Sequence, residues 1–218
     1  MVLEDLYRFD NKQLRSAGHD CWDVGMLWES ILAGLEACRD AGKVPSTIGI
    51  DTWGVDFGLY DAEGYSLGAP LAYRNTIGER ELAAFDAAAR KQMFLETGIV
   101  CDKINSAYLL AGMKKRMPHK LQAADKLLMV PDILNYMFTG QMRNEPSELS
   151  TTQFMDARTR RVSPSMCRRF GISEDLFCPI GEHGTVIGNV LPSICRELGI
   201  SYELFHLDPN TGEFSKNR

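Results

Sequence analysis

The stretch Ile-Gly-Ile-Asp-Thr-Trp-Gly-Val-Asp-Phe, residues 48–57, constrains the fold of this chain more than any other. Its first three residues are apolar, its middle is a polar turn, and apolar residues alternate with others again from Val55 onward. Short apolar runs on either side of a tight turn are typical of neighbouring β-strands. The pattern therefore predicts strands over residues 46–51 and 54–60, paired as an antiparallel hairpin.

The turn between these strands collects residues that suit a ligand site. Small molecules bind at strand ends in α/β proteins. Asp51 and Thr52 offer polar groups, Trp53 offers an apolar face, and Gly54 lets a ligand approach the backbone. A purely structural interpretation is also open, since Asp, Thr and Gly are good turn residues and a tryptophan can fill a core.

Composition excludes several classes of function. The 218 residues are 44% hydrophobic and 24% charged, which is typical of a globular chain of one domain or slightly more. A net charge of −5 gives no electrostatic reason to expect nucleic acid or a membrane as a partner. The six cysteines lack a Cys-x-x-Cys pair, so we expect free thiols and no zinc site. The N-terminus lacks a signal-peptide pattern and no segment reaches the ~20 apolar residues of a membrane span, so we expect a cytoplasmic protein.

The remaining pattern predicts an α/β chain whose second half is helical. Asp23 can cap a helix over residues 23–42, which we expect on one face of a single mixed sheet. The strands predicted for that sheet cover residues 2–9, 46–51, 54–60 and 69–73. Helices are predicted over residues 78–96, 106–117, 119–127, 132–138, 164–170 and 191–198, with breaks at Pro118 and Pro131 and terminators at Gly98 and Gly140.

Several motifs follow one another in an order that carries more information than any of them alone. The 46–57 stretch is preceded by Phe-Asp-Asn at residues 9–11 and Cys-Trp-Asp-Val at residues 21–24. It is followed by Gly-Ala-Pro-Leu-Ala-Tyr-Arg-Asn (68–75), Thr-Gly-Ile (97–99), Asn105, Leu-Met-Val-Pro-Asp (128–132), Thr-Gly (139–140) and Ser-Thr-Thr-Gln (150–153). In order and approximate spacing, this series resembles the FGGY family of carbohydrate kinases over nearly all of residues 3–200.

The resemblance implies a fold and an activity. It implies the ribonuclease H-like (actin/hexokinase-type) N-terminal domain of an FGGY kinase, with a mixed sheet and a helical insertion. Such kinases bind a sugar and ATP in a cleft between two domains and need Mg²⁺ for transfer of the phosphoryl group. The motifs are similar to those of kinases that convert the ketose L-rhamnulose to its 1-phosphate.

The resemblance also implies an incomplete catalytic apparatus. The first phosphate-binding hairpin belongs before Phe9, and the catalytic aspartate, in a His-Asp-Thr loop, belongs just after residue 200. We therefore expect residues 1–200 to form a sugar-binding domain that lacks this hairpin, with no catalytic residue, no metal site and no tight ATP binding. The C-terminal nucleotide domain that completes the cleft is expected to be absent. Residues 201–218 depart from the family, and residues 208–218 are expected to be mobile.

Residue by residue, the match assigns sugar contacts to the turn and to two positions beyond it. Gly54 falls on the sugar-contacting glycine, and the sugar-facing turn also includes Thr52, Trp53 and Asp56. Beyond the turn, Asn105 and Arg74 match sugar-facing positions. Asn105 can instead cap the following helix, and Arg74 can instead form a surface ion pair.

Asp132 also matches the family, but we expect it to stabilise the start of its helix. Two functions stay open at this point: a sugar kinase domain that needs its missing parts, and a non-catalytic sugar-binding or regulatory remnant. A nucleotide-binding regulator is disfavoured because the chain has no glycine-rich phosphate loop.

Overall fold

A computed structural model of the protein describes residues 2–201, and helices predominate in it. In chain order its strands and helices are β1 (Gln13–Ser16), β2 (His19–Trp22), α1 (Val24–Asp40), β3 (Phe57–Tyr60), α2 (Glu79–Ala83), α3 (Ala87–Thr97), α4 (Ser106–Arg116), α5 (Pro118–Ala123), β4 (Lys126–Met129), α6 (Val130–Thr139), α7 (Pro146–Thr151), α8 (Pro164–Phe170) and α9 (Pro192–Glu197). The expected mobility of residues 208–218 concerns positions outside the described residues.

Local signals place most of the helices where the sequence predicts them. The Asp23 carboxylate accepts a hydrogen bond from the Met26 backbone at 2.9 Å and so begins α1. Gly98 and Gly140 end α3 and α6 in the left-handed conformation, at φ 71° and 70°. Pro118 lies at the predicted break between α4 and α5, and both Pro118 and Pro131 lie in the first turn of the helix that follows, where a missing N–H costs nothing.

The long helix predicted over residues 78–96 is divided in two. Asp86 ends the continuous pattern because its carboxylate accepts from the Ala89 backbone at 2.8 Å and caps α3. The preceding part forms a 3-10 turn, Thr76–Gly78, followed by the short helix α2. The sequence predicts no helix at the position of α7.

The single mixed sheet predicted from four strands is wrong for the described residues. They contain two separate antiparallel pairs, β1 with β2 and β3 with β4. Residues 2–9 contain no strand, and residues 69–73 contribute only a bridge between Leu71 and Cys21. Residues 46–51 are not a strand, and no backbone–backbone hydrogen bond within residues 2–201 involves them.

The strand β3 pairs with β4 instead of with the segment that precedes it. Phe57 lies opposite Met129, and Tyr60 lies opposite Lys126. All four residues of β3 are buried, as are the last three residues of β4. A strand that is covered on both faces has a continuous apolar sequence, which short-range patterns do not distinguish from a helix. This is why residues 126–127 were wrongly predicted as the end of a helix.

The core of the molecule surrounds this strand pair. An aromatic cluster lies between α4, α8 and the loops that flank them, with neighbouring ring centroids 5.2–6.1 Å apart; its members are Phe85, Tyr108, Phe154, Phe170 and Phe177. The core places the starts of α4 and α6 next to residues 55–56, since Ser106 Oγ donates to the Val55 carbonyl and the Val130 N–H donates to the Asp56 carbonyl.

All six cysteines are free thiols. No helix within residues 2–201 has the length and apolar character to cross a bilayer.

Candidate functional site

Gly54 lies directly against Thr151, the last residue of α7. A Cβ atom added at Gly54 would lie 2.8 Å from the Thr151 Cγ2 atom and 3.2 Å from its Oγ1 atom, closer than side chains pack. Only a glycine lets the backbone approach the threonine this closely. The structure therefore gives Gly54 a packing reason to be glycine, in addition to the ligand approach that the sequence predicts.

The backbone of Val55 is held in an unusual conformation beside this contact. Its φ of 70° is left-handed, which is rare for a β-branched residue. Two hydrogen bonds fix it: the Val55 N–H donates to Thr151 Oγ1 at 2.9 Å, and Ser106 Oγ donates to the Val55 carbonyl at 2.5 Å. Strained backbone that is held by several neighbours is concentrated at functional sites.

Asp56 is completely buried next to two tryptophans. Its Oδ2 atom accepts from the indole N–H of Trp22 at 2.5 Å and from that of Trp53 at 2.9 Å. The two indole rings lie 4.2 Å apart. Oδ1 is buried and has no hydrogen-bond partner of acceptable geometry among the described residues. Burial raises the pKa of Asp56 to about 7. The two indoles and the Tyr73 backbone stabilise the charged carboxylate and so oppose this rise in pKa.

Asn105 connects the start of α4 to the same threonine. Its Oδ1 atom accepts from the Asp102 backbone at 2.7 Å, and its Nδ2 atom donates to the Thr151 carbonyl at 3.2 Å. Asn105 occupies the N-cap position of α4, but its side chain makes no capping hydrogen bond. Asn105 thus occupies the cap position that the sequence allowed, but its side chain does not cap the helix.

Glu148 is a residue of this site that sequence reasoning missed. It lies one turn before Thr151 on α7, and the Thr151 hydroxyl donates to its carbonyl at 2.7 Å. Its Oε2 atom is buried and has no hydrogen-bond partner within residues 2–201. Burial raises the pKa of Glu148 to about 7, and the negative charges of four nearby carboxylates add to this: Asp132, Glu145, Asp51 and Asp56.

Two of the predicted residues, Thr52 and Arg74, make few contacts with the rest of the candidate site. Within residues 2–201, the Thr52 hydroxyl donates only to the neighbouring Trp53 carbonyl, at 3.3 Å. The exposed guanidinium of Arg74 lies 5.4 Å from the centre of the Tyr73 ring. Arg74 forms no ion pair with any described residue. The surface ion pair that the sequence allowed for it is therefore not observed. The site therefore brings together the 54–56 turn, Asn105 and α7, with Thr52 and Arg74 at its margin.

The sequence family is decided by a match to a family model. Residues 8–204 match the model of the FGGY family of carbohydrate kinases, N-terminal domain. This chain belongs to the FGGY family. The six residues assigned to the sugar site all lie within the matched range.

Two curated relatives of this FGGY chain are named rhamnulokinase. It is 35% identical over 192 residues to a rhamnulokinase from Oceanobacillus iheyensis, covering 87% of this chain and 41% of the relative. It is 37% identical over 190 residues to a rhamnulokinase from Bacteroides thetaiotaomicron, covering 86% of this chain and 39% of the relative. The FGGY chain thus spans about two fifths of the length of these relatives.

Solved structures confirm the predicted fold class. The chain superimposes on a xylulose kinase from Brucella ovis with a TM-score of 0.77 at 22% identity, covering 88% of this chain and 40% of that one. A gluconate kinase from Lactobacillus acidophilus gives a TM-score of 0.76 at 13% identity, with the same coverage. The chain therefore has the α/β, actin/hexokinase-like fold of FGGY kinases, although its strands do not pair as predicted.

A nucleotide and Mg²⁺ are implied by the family, but the described residues do not fit them. The tight turn of the first hairpin, Ala17 and Gly18, contains one glycine and no run of glycines. Its nearby cation, Arg15, is engaged by Asp20 and by the Gly18 carbonyl. No group of three or more metal-ligating side chains occurs within residues 2–201. A triphosphate cradle needs successive free N–H groups and an available cation, so no catalytic step is assigned to these residues.

Proposed function

We propose that this chain is the sugar-binding portion of a kinase that transfers the γ-phosphoryl group of ATP to L-rhamnulose in the cytoplasm. The observation that carries the proposal is the identity of 35–37% to proteins named rhamnulokinase across 86–87% of this chain. The site chemistry supports it, because a sugar presents hydroxyl donors and the site offers carboxylate acceptors.

The proposed binding mode uses the unpaired acceptors beside Gly54. Asp56 and Glu148 each keep one buried oxygen that makes no hydrogen bond of acceptable geometry within residues 2–201. A buried acceptor without a donor costs free energy, and a ligand hydroxyl that donates to it removes that cost. Asn105, whose side chain links α4 to Thr151, and the exposed surface of Trp53 complete the proposed sugar-facing edge. Thr52 and Arg74 are proposed only as outer contacts.

The proposal assigns no phosphoryl transfer to the chain by itself. General base catalysis is worth about 10²–10⁴-fold, and phosphate positioning contributes more. The chain spans only 41% and 39% of the two rhamnulokinases named above, and the described residues lack a phosphate cradle. We therefore expect millimolar sugar binding and no turnover from the isolated 218 residues, with ATP and Mg²⁺ acting only in a complete enzyme.

A non-catalytic sugar-binding or regulatory protein is the second candidate. The observation that favours it is the absence, within residues 2–201, of a glycine-rich loop that could cradle a phosphate. Both candidates require sugar binding, so they differ only in the behaviour of the completed protein. Joining the chain both to the phosphate-binding hairpin expected before Phe9 and to the C-terminal portion of a rhamnulokinase, and then measuring ADP release, distinguishes them.

The test measures binding and turnover separately. Titration calorimetry of the 218-residue chain with L-rhamnulose, L-fuculose and L-ribulose should show the tightest binding for L-rhamnulose. Replacing Glu148 with Gln keeps the size of the side chain and should weaken this binding by about tenfold, the effect of one hydrogen bond to a charged group. No binding of any of the three sugars would reject the proposal. Sugar-dependent ADP release by the isolated chain would show that the catalytic apparatus has been placed wrongly.

A further inference from the structure

A surface cavity away from Gly54 is bordered by arginines. It has a volume of about 690 Å³, and its lining includes Arg160, Arg161, Thr159, Glu182, His183 and Pro146. This volume lies within the ~300–1,000 Å³ of small-molecule sites. The cavity lies at the N-terminal end of α7, whereas Thr151 contacts Gly54 at the C-terminal end.

The arginines are carried by a firmly held turn, which we call the arginine turn (residues 156–161). The Asp156 carboxylate accepts from the backbone N–H groups of Arg158 and Thr159 at 3.0 and 2.7 Å, and these bonds lower its pKa. The Asp156 N–H donates to the Arg161 carbonyl, and the Arg160 N–H donates to the Asp156 carbonyl, each at 2.9 Å. A bridge between Met155 and Val162 closes the base of the turn. The arginines therefore project from a preorganised backbone.

The charges around the cavity leave cations available. Arg160 and Arg161 make no side-chain hydrogen bond or ion pair with any residue in the 2–201 range. The nearby carboxylate of Glu145 is occupied, since it contacts His183 Nδ1 at 2.7 Å and caps α7 through the Glu148 N–H at 2.9 Å. Glu182 is the remaining acid of the wall, so two free arginines face one carboxylate.

We propose that this cavity binds a phosphorylated monosaccharide, with Arg160 and Arg161 holding its phosphate group. Arginine presents a rigid fork of donors that matches the oxygens of a phosphate monoester. A phosphate alone fills a small part of about 690 Å³, and the polar groups of Glu182 and Thr159 suit sugar hydroxyls. The proposal stands independently of the sugar site at Gly54.

The test is calorimetric titration of the 218-residue chain at constant ionic strength with three probes: glucose 6-phosphate, inorganic phosphate and glucose. We expect glucose 6-phosphate to bind most tightly, phosphate to bind more weakly, and glucose not to bind. Replacing both Arg160 and Arg161 with Gln should weaken the binding of glucose 6-phosphate by at least about tenfold. Replacing both with Lys should restore part of it, because the charge remains and the fork is lost.

The chain offers a matched control. Arg168 and Arg169 are also adjacent exposed arginines, on α8, and do not line the cavity. Their double replacement with Gln changes the net charge equally and should leave binding unchanged. Equal losses in the two double variants would overturn the proposal, since they would show a general charge effect. Absence of glucose 6-phosphate binding, or equal affinity for inorganic phosphate, would overturn it as well.

Discussion

Asp56 and Asp132 both lie beside an apolar strand, and burial raises the pKa of each carboxyl to about 7. Their surroundings differ. Asp132 accepts from the Met129 backbone at 3.2 Å, from Asn144 Nδ2 at 2.9 Å and from the Glu145 backbone at 3.0 Å, so both of its oxygens are satisfied. Asp56 accepts two indole N–H groups on one oxygen and leaves the other without a partner of acceptable geometry.

The difference separates a carboxylate whose two oxygens are both hydrogen-bonded from one that keeps an unpaired oxygen. Asp132 stabilises the start of α6, as the sequence predicts, and connects it to the segment before α7. Asp56 lies next to the strained Val55 and to a segment, residues 46–54, with no backbone–backbone hydrogen bond in the described part of the chain. Equal pKa values therefore do not indicate equal roles, and the count of satisfied oxygens is more informative.

The largest expected effect tests this distinction directly. Asp132→Asn places an NH₂ group against at least one buried donor, so we expect a loss of about 2–4 kcal/mol in the free energy of unfolding. Asp56→Asn keeps an oxygen for both indoles and should cost about 1 kcal/mol or less. Urea unfolding followed by circular dichroism measures both. Equal losses would show that the unpaired oxygen of Asp56 is satisfied in solution.

The dependence of stability on pH is the next expected effect. The raised pKa values of Asp56 and Asp132 mean that the folded chain binds more protons than the unfolded chain, whose aspartates titrate near pH 4. Their contribution to stability is complete below about pH 4 and is lost as the pH rises through about 7. The loss is on the order of a few kcal/mol for each buried group.

Urea unfolding between pH 5 and pH 8.5 measures this slope. Asp56→Asn should flatten it by removing one of the titrating groups, and Glu148→Gln should flatten it in the same direction because burial also raises the pKa of Glu148. A stability that increases over this range in the unmodified chain would contradict both assignments.

Gly54→Ala should cost about 1–3 kcal/mol, because its Cβ would lie 2.8 Å from Thr151 Cγ2. Gly49 is a matched control in the same extended segment, since a Cβ there meets no atom within 4 Å. Gly49→Ala should be neutral or slightly stabilising. Thermal unfolding compares the two variants with the double variant Gly54→Ala, Thr151→Ser, which removes the opposing methyl group and should recover much of the loss. A double variant no more stable than Gly54→Ala would exclude the methyl contact as the cause.

The smallest effect is expected at Arg74, at the margin of the candidate site. Arg74→Ala should change the free energy of unfolding by less than about 1 kcal/mol, since within residues 2–201 its side chain contacts only the ring and the hydroxyl of Tyr73. Arg90 is the contrasting case, because it donates to the Phe85 and Leu82 carbonyls, each at 2.9 Å. Arg90→Ala should therefore cost more in the same unfolding assay. A larger loss at Arg74 than at Arg90 would place Arg74 in the folded core of the site.

The fold was predictable where the responsible interactions are local. Asp23 and Gly140 act within a few residues of their own positions, so α1 and the end of α6 follow from the sequence. The pairing of β3 with β4 depends on residues that are distant in sequence, and the buried run at residues 127–129 has no periodicity that identifies a strand. The strand predicted over residues 46–51 fails because its apolar pattern does not specify a partner.

The candidate site was also predictable only in part. Gly54, Asp56 and Asn105 belong to motifs that can be recognised in the sequence, and the structure brings them close to Thr151. Thr151 itself appears only within the weak motif Ser-Thr-Thr-Gln. Glu148 carries no signal of its own, because its proximity to Asp56 arises from the packing of α7 and not from its neighbours in sequence.

The pairing of β3 with β4 also has a consequence for the order of folding. The two strands are separated by the whole stretch from α2 to α5, so their hydrogen bonds require the closure of a long loop. Loop closure costs entropy before the contacts compensate for it, whereas the helices between the strands can form from local contacts. During synthesis, β3 leaves the ribosome well before β4 exists. We therefore expect this apolar strand to stay unpaired and exposed to chaperones until residue 129 has emerged.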